Sequence, residues 1–365
     1  MTELEQIKAN LLKKPVARPS VENIPRKNFL SSGSSMLDLA ATGIIGCCYA
    51  KGHCYLFVGD SDSGKTVLGL TALAEACLNK QFDDYTLIHD NSEKKPVMSL
   101  LHFFGKRTAS RVKSLSSSSL EEFYFMLDDE TKKGPCIIVE DSMDALMPKA
   151  DMKHFTTMKS QVKKGEEGAG SYGTAKAKMN SSHMRLASNF MQRHGGSILL
   201  IMGQTRDKIN TTFWDPEKKT RGGGKALKFY ATLEIWSSVR KELTKKLTGY
   251  SDKKRQLGIL SQIQVKKNHI TGRKRMIEVP IYHSTGVDDL GSLVDFLVEE
   301  GHWKTSGKDD KGKITASEFG IEAYHDKLIT RLDEEDKHEE VKKIASEVWQ
   351  SIEEQLKVQR KRRYV

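Results

Sequence analysis

The feature that most constrains this chain is the stretch Gly59-Asp-Ser-Asp-Ser-Gly64-Lys65-Thr66. It matches G-x-x-x-x-G-K-[ST], follows the apolar run Tyr55–Val58 and precedes a helical pattern over Thr66–Leu78. The glycines let backbone N–H groups wrap phosphates, and the helix N-terminus adds a favourable dipole. Gly59, Asp60, Ser61, Asp62, Ser63, Gly64, Lys65 and Thr66 are therefore the candidate phosphate cradle. Lys65 supplies a point charge to the terminal phosphates, and the Thr66 hydroxyl is a candidate Mg²⁺ ligand. Such a loop says nucleotide, but it does not separate kinase, GTPase, motor and recombinase.

Around this loop, short apolar runs alternate with helical patterns from Phe29 to about His283. Tyr55–Val58, Tyr85–Ile88, Cys136–Val139 and Ile198–Met202 read as buried strands, and segments such as Ser181–Arg193 as helices. The alternation predicts an α/β domain with a mostly parallel central sheet. Cys136-Ile-Ile-Val-Glu140-Asp141 is an apolar strand ending in acids, the pattern of an Asp that holds Mg²⁺ through water. Successive strand side chains point to opposite faces, and Asp141 rather than Glu140 is the candidate ligand. Five cysteines without CxxC or CxxH spacing argue against a disulfide framework or zinc site, and for a cytoplasmic setting. No apolar stretch approaches the ~20 residues of a membrane span, so no membrane partner is expected. The N-terminus lacks the apolar core of a secretory signal.

Residues 2–14 read as a short amphipathic helix through Leu4, Ile7, Leu11 and Leu12. Pro15, Pro19 and Pro25 break it, making 15–29 a linker. Residues 151–180 are rich in Lys, Gly and Ser, and residues 205–224 are polar with a glycine run. Both are expected to be mobile loops. Lys304–Lys313 reads as a polar linker. Val341, Ile344, Ala345, Val348, Trp349, Ile352 and Leu356 then form one apolar helical stripe. Three regions result: 1–29, a core over 30–285, and a mainly helical 286–365. The net charge of +11 is concentrated between about residues 151 and 275, and 240–275 alone hold 12 basic against 2 acidic residues. Such a field attracts polyanions.

Four further stretches carry a resemblance. Leu30-Ser-Ser-Gly33-Ser-Ser-Met-Leu-Asp38, Asp141-Ser-Met-Asp-Ala-Leu-Met-Pro-Lys149, Ile198–Ile209 followed by Gly222–Ala231, and Val265-Lys-Lys267-Asn-His-Ile270 occur in the order of the RecA recombinase family. The chain resembles that family's divergent bacteriophage members from about residue 30 to about 295. The resemblance implies a RecA-like P-loop ATPase core, preceded by a short N-terminal helix that contacts the next subunit and followed by a small helical C-terminal region. It implies ATP and Mg²⁺ as cofactors. The partners it implies are single-stranded DNA, homologous duplex DNA, further copies in a helical filament, and single-strand-binding and mediator proteins. The family's two DNA-gripping loops would be residues 150–180 and 205–224. Lys163, Lys164, Lys176 and Lys178 in the first, and Arg206, Lys208, Lys218, Lys219 and Arg221 in the second, are candidates to neutralise phosphates. Phe213 and Trp214 are candidates to stack on bases.

The resemblance also assigns catalytic roles. Gln204 would sense the γ-phosphate at the start of the second loop, and Lys267 would reach the ATP of the neighbouring subunit. A second family lysine is His269 here. The family's water-positioning Glu lies in D-x-E, whereas this chain reads Asp90-Asn-Ser-Glu93, leaving Glu93, or else Asp90, as the base. The implied activity is DNA-dependent ATP hydrolysis coupled to filament formation, homologous pairing and strand exchange in DNA repair and recombination. Two other readings are a hexameric helicase on the same core and an ATP-gated single-stranded-DNA-binding protein with little hydrolysis.

Overall fold

The computed structural model describes residues 25–96, 98–163, 174–207, 219–222, 224–250, 253–307 and 312–360. The helix read at 2–14 lies outside the described residues. β1 (Phe29–Leu30) and β2 (Tyr49–Ala50) pair across α1 (Ser35–Thr42), which is capped by Ser34 and stopped at left-handed Gly43. The chain then runs through β3 (His53–Gly59), the phosphate-type loop, α2 (Lys65–Leu78), β4 (Thr86–Asp90), α3 (Leu100–Arg111), β5 (Val112–Leu115), α4 (Leu120–Lys133) and β6 (Cys136–Glu140). Next come α5 (Lys149–Lys163), α6 (Thr174–Phe190), β7 (Ile198–Asp207), β8 (Lys219–Arg221) and α7 (Lys225–Tyr230). The meander β9 (Leu233–Lys246), β10 (Lys254–Asn268), β11 (Met276–Tyr282) and β12 (Gly286–Val287) leads into α8 (Asp289–Glu299).

These strands form one sheet in the order β12-β11-β10-β9-β3-β7-β6-β4-β5, with β8 paired to β7 outside that path. Pairs from β9 across to β5 are parallel, and those from β9 to β12 are antiparallel. The parallel part is buried on both faces, which is why its strands read as unbroken apolar runs. Tyr55, Phe57, Ile137, Val139, Leu200 and Met202 face α2, α1 and α8, whereas Leu56, Val58, Ile138, Leu199 and Ile201 face α4 and α6. Each fully buried aliphatic or aromatic side chain contributes roughly 1.5–3 kcal/mol. All five cysteines are buried and free. Among the described residues no helix is long and apolar enough to cross a membrane.

The two segments expected as mobile loops contain regular structure. No Gly or Pro interrupts Lys149–Lys163, and Pro148 opens it, its carbonyl accepting from Asp151 and Met152 N. α6 contains the helix expected over Ser181–Arg193, where Met184 and Ala187 are buried, and begins earlier, at Thr174, inside the segment expected as a loop. β7 continues past its apolar core to Asp207 and pairs antiparallel with β8.

Lys304–Lys313 is also corrected in part. Buried Trp303 leads into β13 (Lys304–Thr305), which joins β14 (Ile314–Ala316) and β15 (Ile321–Ala323) in a small sheet. The C-terminal region therefore adds strands to α9 (His325–Glu334) and α10 (His338–Gln355). α10 buries Val341, Ala345 and Trp349 as its stripe predicts, but Leu356 lies past its end and is exposed.

Candidate functional site

The loop between β3 and α2 takes its shape from two glycines. Gly64 has φ +90°, and a Cβ there would lie 2.3 Å from Ile281 Cδ1. A Cβ on Gly59 would meet Ser237 Oγ at 2.2 Å. The neighbouring strands also brace the loop from below. Ser261 Oγ donates to Ser63 O at 2.8 Å, and the Ser63 and Ser237 hydroxyls are 2.8 Å apart. Lys65 Nζ donates to Gly59 O (2.9 Å) and Asp60 O (2.6 Å), so its charge sits inside the curve of the loop. Burial holds this ammonium below its ordinary pKa, against the pull of Asp141 and Glu93.

Above the loop lies a cleft of about 690 Å³, lined by the loop together with His89, Glu93, Met98, Asp141, Gln204 and His283, among others. That volume suits a nucleotide-sized ligand. The strand ends sort their acids by pleat. Asp141 continues the face of Ile137 and Val139 and enters the cleft, where Thr66 Oγ1 donates to its Oδ2 at 2.6 Å. Burial opposes charge on Asp141, but the His89 imidazole, the Thr66 hydroxyl and the Lys65 charge outweigh it and hold its carboxyl below the usual range. Thr66 and Asp141, an oxygen pair beside a lysine, are a donor set that suits Mg²⁺ on a nucleotide.

Asp90 and Glu140 occupy the other face. Asp90 is fully buried and accepts from Ser117 N (2.7 Å) and Ser117 Oγ (2.5 Å). Glu140 accepts from Ser92 Oγ, and burial, reinforced by the Asp90 charge, pushes its pKa well up. Of the two candidates for the base, Glu93 is the one in the cleft. Its Oε1 accepts from Ser142 Oγ (2.7 Å) and Gln204 Nε2 (2.8 Å), and its Oε2 pairs with Lys95. Burial works against the Glu93 charge, yet the Lys95 and Ser142 hydrogen bonds win and hold its pKa below the ordinary value.

Gln204 lies on β7 between this cleft and the start of the basic segment. Its backbone N donates to Asp144 Oδ2 at 2.7 Å, and Arg206 bonds the same carboxylate at 3.2 Å. One residue further, Thr205 Oγ1 donates to Asp60 of the loop, and Lys219 Nζ reaches Asp60 Oδ2 at 2.6 Å. Neither Asp144 nor a separate task for the Asp60 side chain was legible in the sequence. The only sequence sign of Asp144 was its place inside the Asp141–Lys149 stretch.

The candidate DNA residues divide. Lys178 and Arg206 are exposed. Lys176 is turned inward, donating to the carbonyls of Met143 (2.7 Å), Asp144 (3.1 Å) and Leu146 (2.7 Å), so it is a clamp rather than a free phosphate contact. Arg221 likewise pairs with buried Glu234 at 3.0 Å and donates to Gly224 O. Lys219 is exposed but engaged by Asp60. Lys164, Lys208, Phe213, Trp214 and Lys218 lie outside the described residues, as does the Lys163 side chain. Lys267 does not line the cleft of its own chain. Its Nζ caps α7, donating to the carbonyls of Lys228, Phe229 (2.9 Å) and Ala231 (2.7 Å). His269 beside it is exposed.

Comparison with known proteins agrees with this arrangement. The family model described as the RecA N-terminal domain matches residues 1–288. Protein RecA of Oceanobacillus iheyensis is 28% identical over 341 residues, covering 90% of this chain and 88% of its own. Protein RecA of Chlorobaculum parvum is 29% identical over 282 residues, covering 76% and 72%. Protein RecA of Lactococcus lactis subsp. cremoris is 31% identical over 282 residues, covering 76% and 65%. With its phosphate loop, its acid-tipped strand β6 and a family match over most of its length, the chain belongs to the RecA family, as a divergent recombinase of DNA repair and recombination.

Proposed function

We propose that this chain is a DNA-dependent ATPase that assembles as a filament on single-stranded DNA, pairs it with homologous duplex and exchanges strands. The observation that carries the reading is the Gln204 amide on the Glu93 carboxylate at 2.8 Å. It ties the cleft to the strand that leads into the basic segment. Nucleotide state and DNA grip thereby share one side chain.

In this reading Lys65 and the loop N–H groups bind the phosphates of ATP. Thr66 and Asp141 would hold Mg²⁺, which when bound would supply positive charge against that developing on the transferred phosphoryl group. Glu93 Oε1 orients the attacking water and accepts its proton. When Glu93 turns to that water, Gln204 loses its acceptor, and β7 with the segment beyond it is free to shift. Lys267 is proposed to reach the nucleotide of a neighbouring copy, a role that requires its Nζ to leave the three carbonyls it caps. Residues 1–29 are proposed to contact the next subunit, 30–285 to form the ATPase core and 286–365 an accessory region. Lys178, Arg206 and Lys219 are the described candidates for DNA phosphates. Single-strand-binding and mediator proteins are further proposed partners, and the cytoplasm of a bacterial or phage-infected cell the proposed place of work.

The test is ATP hydrolysis with and without single-stranded DNA, for wild type and Lys65→Ala, with electron microscopy of the assemblies. DNA-stimulated turnover on filaments, lost in the variant, is expected. Closed rings that unwind duplex would make the chain a helicase instead. Tight DNA binding without turnover would make it an ATP-gated DNA-binding protein.

A further inference from the structure

The cleft holds a further cation, Lys95, which the reading above leaves as no more than a partner of Glu93. It stands on the turn that leaves β4, and that turn aims it. Lys94 has φ +55°, a left-handed conformation that non-glycine residues seldom take. Asn91 ties the turn together: its carbonyl accepts from Lys94 N at 3.1 Å, and its Nδ2 donates to Lys95 O at 2.7 Å. The two neighbouring lysines are thereby parted. Lys94 Nζ donates to Ser118 Oγ at 3.1 Å, whereas Lys95 joins the cleft lining with Lys65, Thr66, Asp141 and Gln204. Glu93 Oε1 is taken by Ser142 and Gln204, and Lys95 Nζ pairs with Oε2. The Glu93 bond raises the Lys95 pKa, and the charges of Asp141 and of Asp62 on the phosphate loop act in the same direction. The group is therefore an ammonium that feels both sides of the cleft. Its side chain is 68% exposed, so the four-carbon stem keeps its freedom to turn.

We propose that Lys95 is a catalytic residue acting in cis: its ammonium contacts a γ-phosphate oxygen of the ATP in its own cleft and links that phosphate to the Glu93 carboxylate. The inference rests on the nucleotide-binding reading and adds a residue to it. An ammonium carries three N–H donors, and one of them serves Glu93 Oε2, so Nζ can hold the carboxylate and a phosphoryl oxygen together. In hydrolysis the water oxygen bonds to the γ-phosphorus, the bond to the ADP oxygen breaks, and the water proton passes to Glu93 Oε1. Lys95 keeps its own proton throughout. Its charge offsets the negative charge on the phosphoryl oxygens, and its two bonds fix the base against the phosphorus. Lys267 caps α7 and does not line this cleft, so Lys95 gives one copy a second lysine at the phosphate without a neighbour.

The test uses the full chain as wild type, Lys95→Met, Lys95→Gln and Lys95→Arg, with ATP hydrolysis and nucleotide binding measured on each. Two neutral variants are used so that a folding defect in one does not decide the matter. Both should lose about 10²-fold in turnover number while ATP affinity stays within about threefold, and Lys95→Arg should lose less. Affinity for ADP with aluminium fluoride, which mimics the transferring phosphoryl group, should fall by a similar factor while affinity for ADP alone holds. Adding Lys65→Ala subunits, which carry Lys95 but lack the phosphate-loop lysine, should not restore turnover to Lys95→Met. Unchanged turnover in the neutral variants, ATP affinity lost in step with turnover, an Arg variant as slow as the Met variant, or rescue by the added subunits overturns the in-cis role of Lys95 and leaves the nucleotide site standing. A wild type that binds ATP without hydrolysing it does the same. A wild type that binds no ATP overturns the nucleotide reading and this inference with it.

Discussion

Glu93 shows how much a single carboxylate depends on the side chains around it. Asp90 sits only three residues earlier, but the pleat buries it against Ser117, so the acid that reaches the cleft is the one carried past the strand end. Glu93→Gln should lower the turnover number by about 10²–10⁴-fold while nucleotide and DNA binding persist. Single-turnover hydrolysis beside filter binding would check the split. The Lys95 and Ser142 bonds depress the Glu93 pKa, so its carboxylate is charged at and above the ordinary Glu range. Its contribution to rate should therefore be constant from about pH 5.5 upward and be lost only as pH falls through the depressed value. Lys95→Ala removes one of those bonds and should move the acid limb of the pH–rate profile upward. Gln204→Ala should reduce stimulation by DNA more than it reduces DNA-free hydrolysis, measured as the ratio of the two rates.

Between elements, the junction of β8 with the phosphate loop has the clearest consequence. Asp60 engages both Thr205 on β7 and Lys219 on β8, so one loop carboxylate neutralises a cation that the DNA reading needs. Asp60→Asn should release Lys219 and tighten nucleotide-independent binding of single-stranded DNA. The slope of log affinity against log salt should grow steeper by about 0.7, the value for one more phosphate contact on a single strand. Fluorescence anisotropy across a salt series would measure it. An unchanged slope would show that Lys219 contributes nothing to DNA. Lys176 and Arg221 carry the opposite expectation. Each is held by buried carbonyls or a buried carboxylate, so Lys176→Ala should lower thermal stability rather than the salt slope.

For the whole molecule, the C-terminal region shares the core of the sheet. Trp349 packs its ring 5.7 Å from Phe296 of α8, and Glu353 forms a two-pronged pair with Arg275 at 2.6 and 2.8 Å, with Arg273 at 3.0 Å. Removing residues 338–360 would take away Val341, Ala345 and Trp349 and uncover the apolar surface they cover, Phe296 included. That deletion should lower the melting temperature of the whole chain, read by calorimetry, rather than leave the core unaffected. α9 is tied to α8 by His325 and Asp295 at 2.7 Å, and this bond raises the His325 pKa to about 9. The stability it gives is fully present below the unfolded His value near 6.5 and lost as pH rises through about 9. Both groups are partly exposed, so the effect is at most about 1 kcal/mol. His325→Gln should lower the melting temperature at pH 6 and scarcely change it at pH 9.5.

What the sequence determined by itself was local chemistry. The glycine spacing and Lys65-Thr66 specify a loop whose shape depends on nearby backbone, and the unbroken apolar runs specify strands buried on both faces. Pleat alternation was enough to separate Asp141 from Glu140. The tertiary structure decided what depends on distant partners. Helix α5 and the first turns of α6 were hidden by their polar, Lys-rich composition, whereas the second half of α6 was legible as a helix because Met184 and Ala187 give it an apolar stripe. Lys176, Lys219 and Arg221 look alike in sequence, yet a carbonyl nest, a loop carboxylate and a buried glutamate give them three different environments. Glu93 became distinguishable from Asp90 only when Gln204, 111 residues away, was seen on its carboxylate. Charge and hydrogen bonding act through space, so a residue's type can be read from the chain while its partner is fixed by the fold.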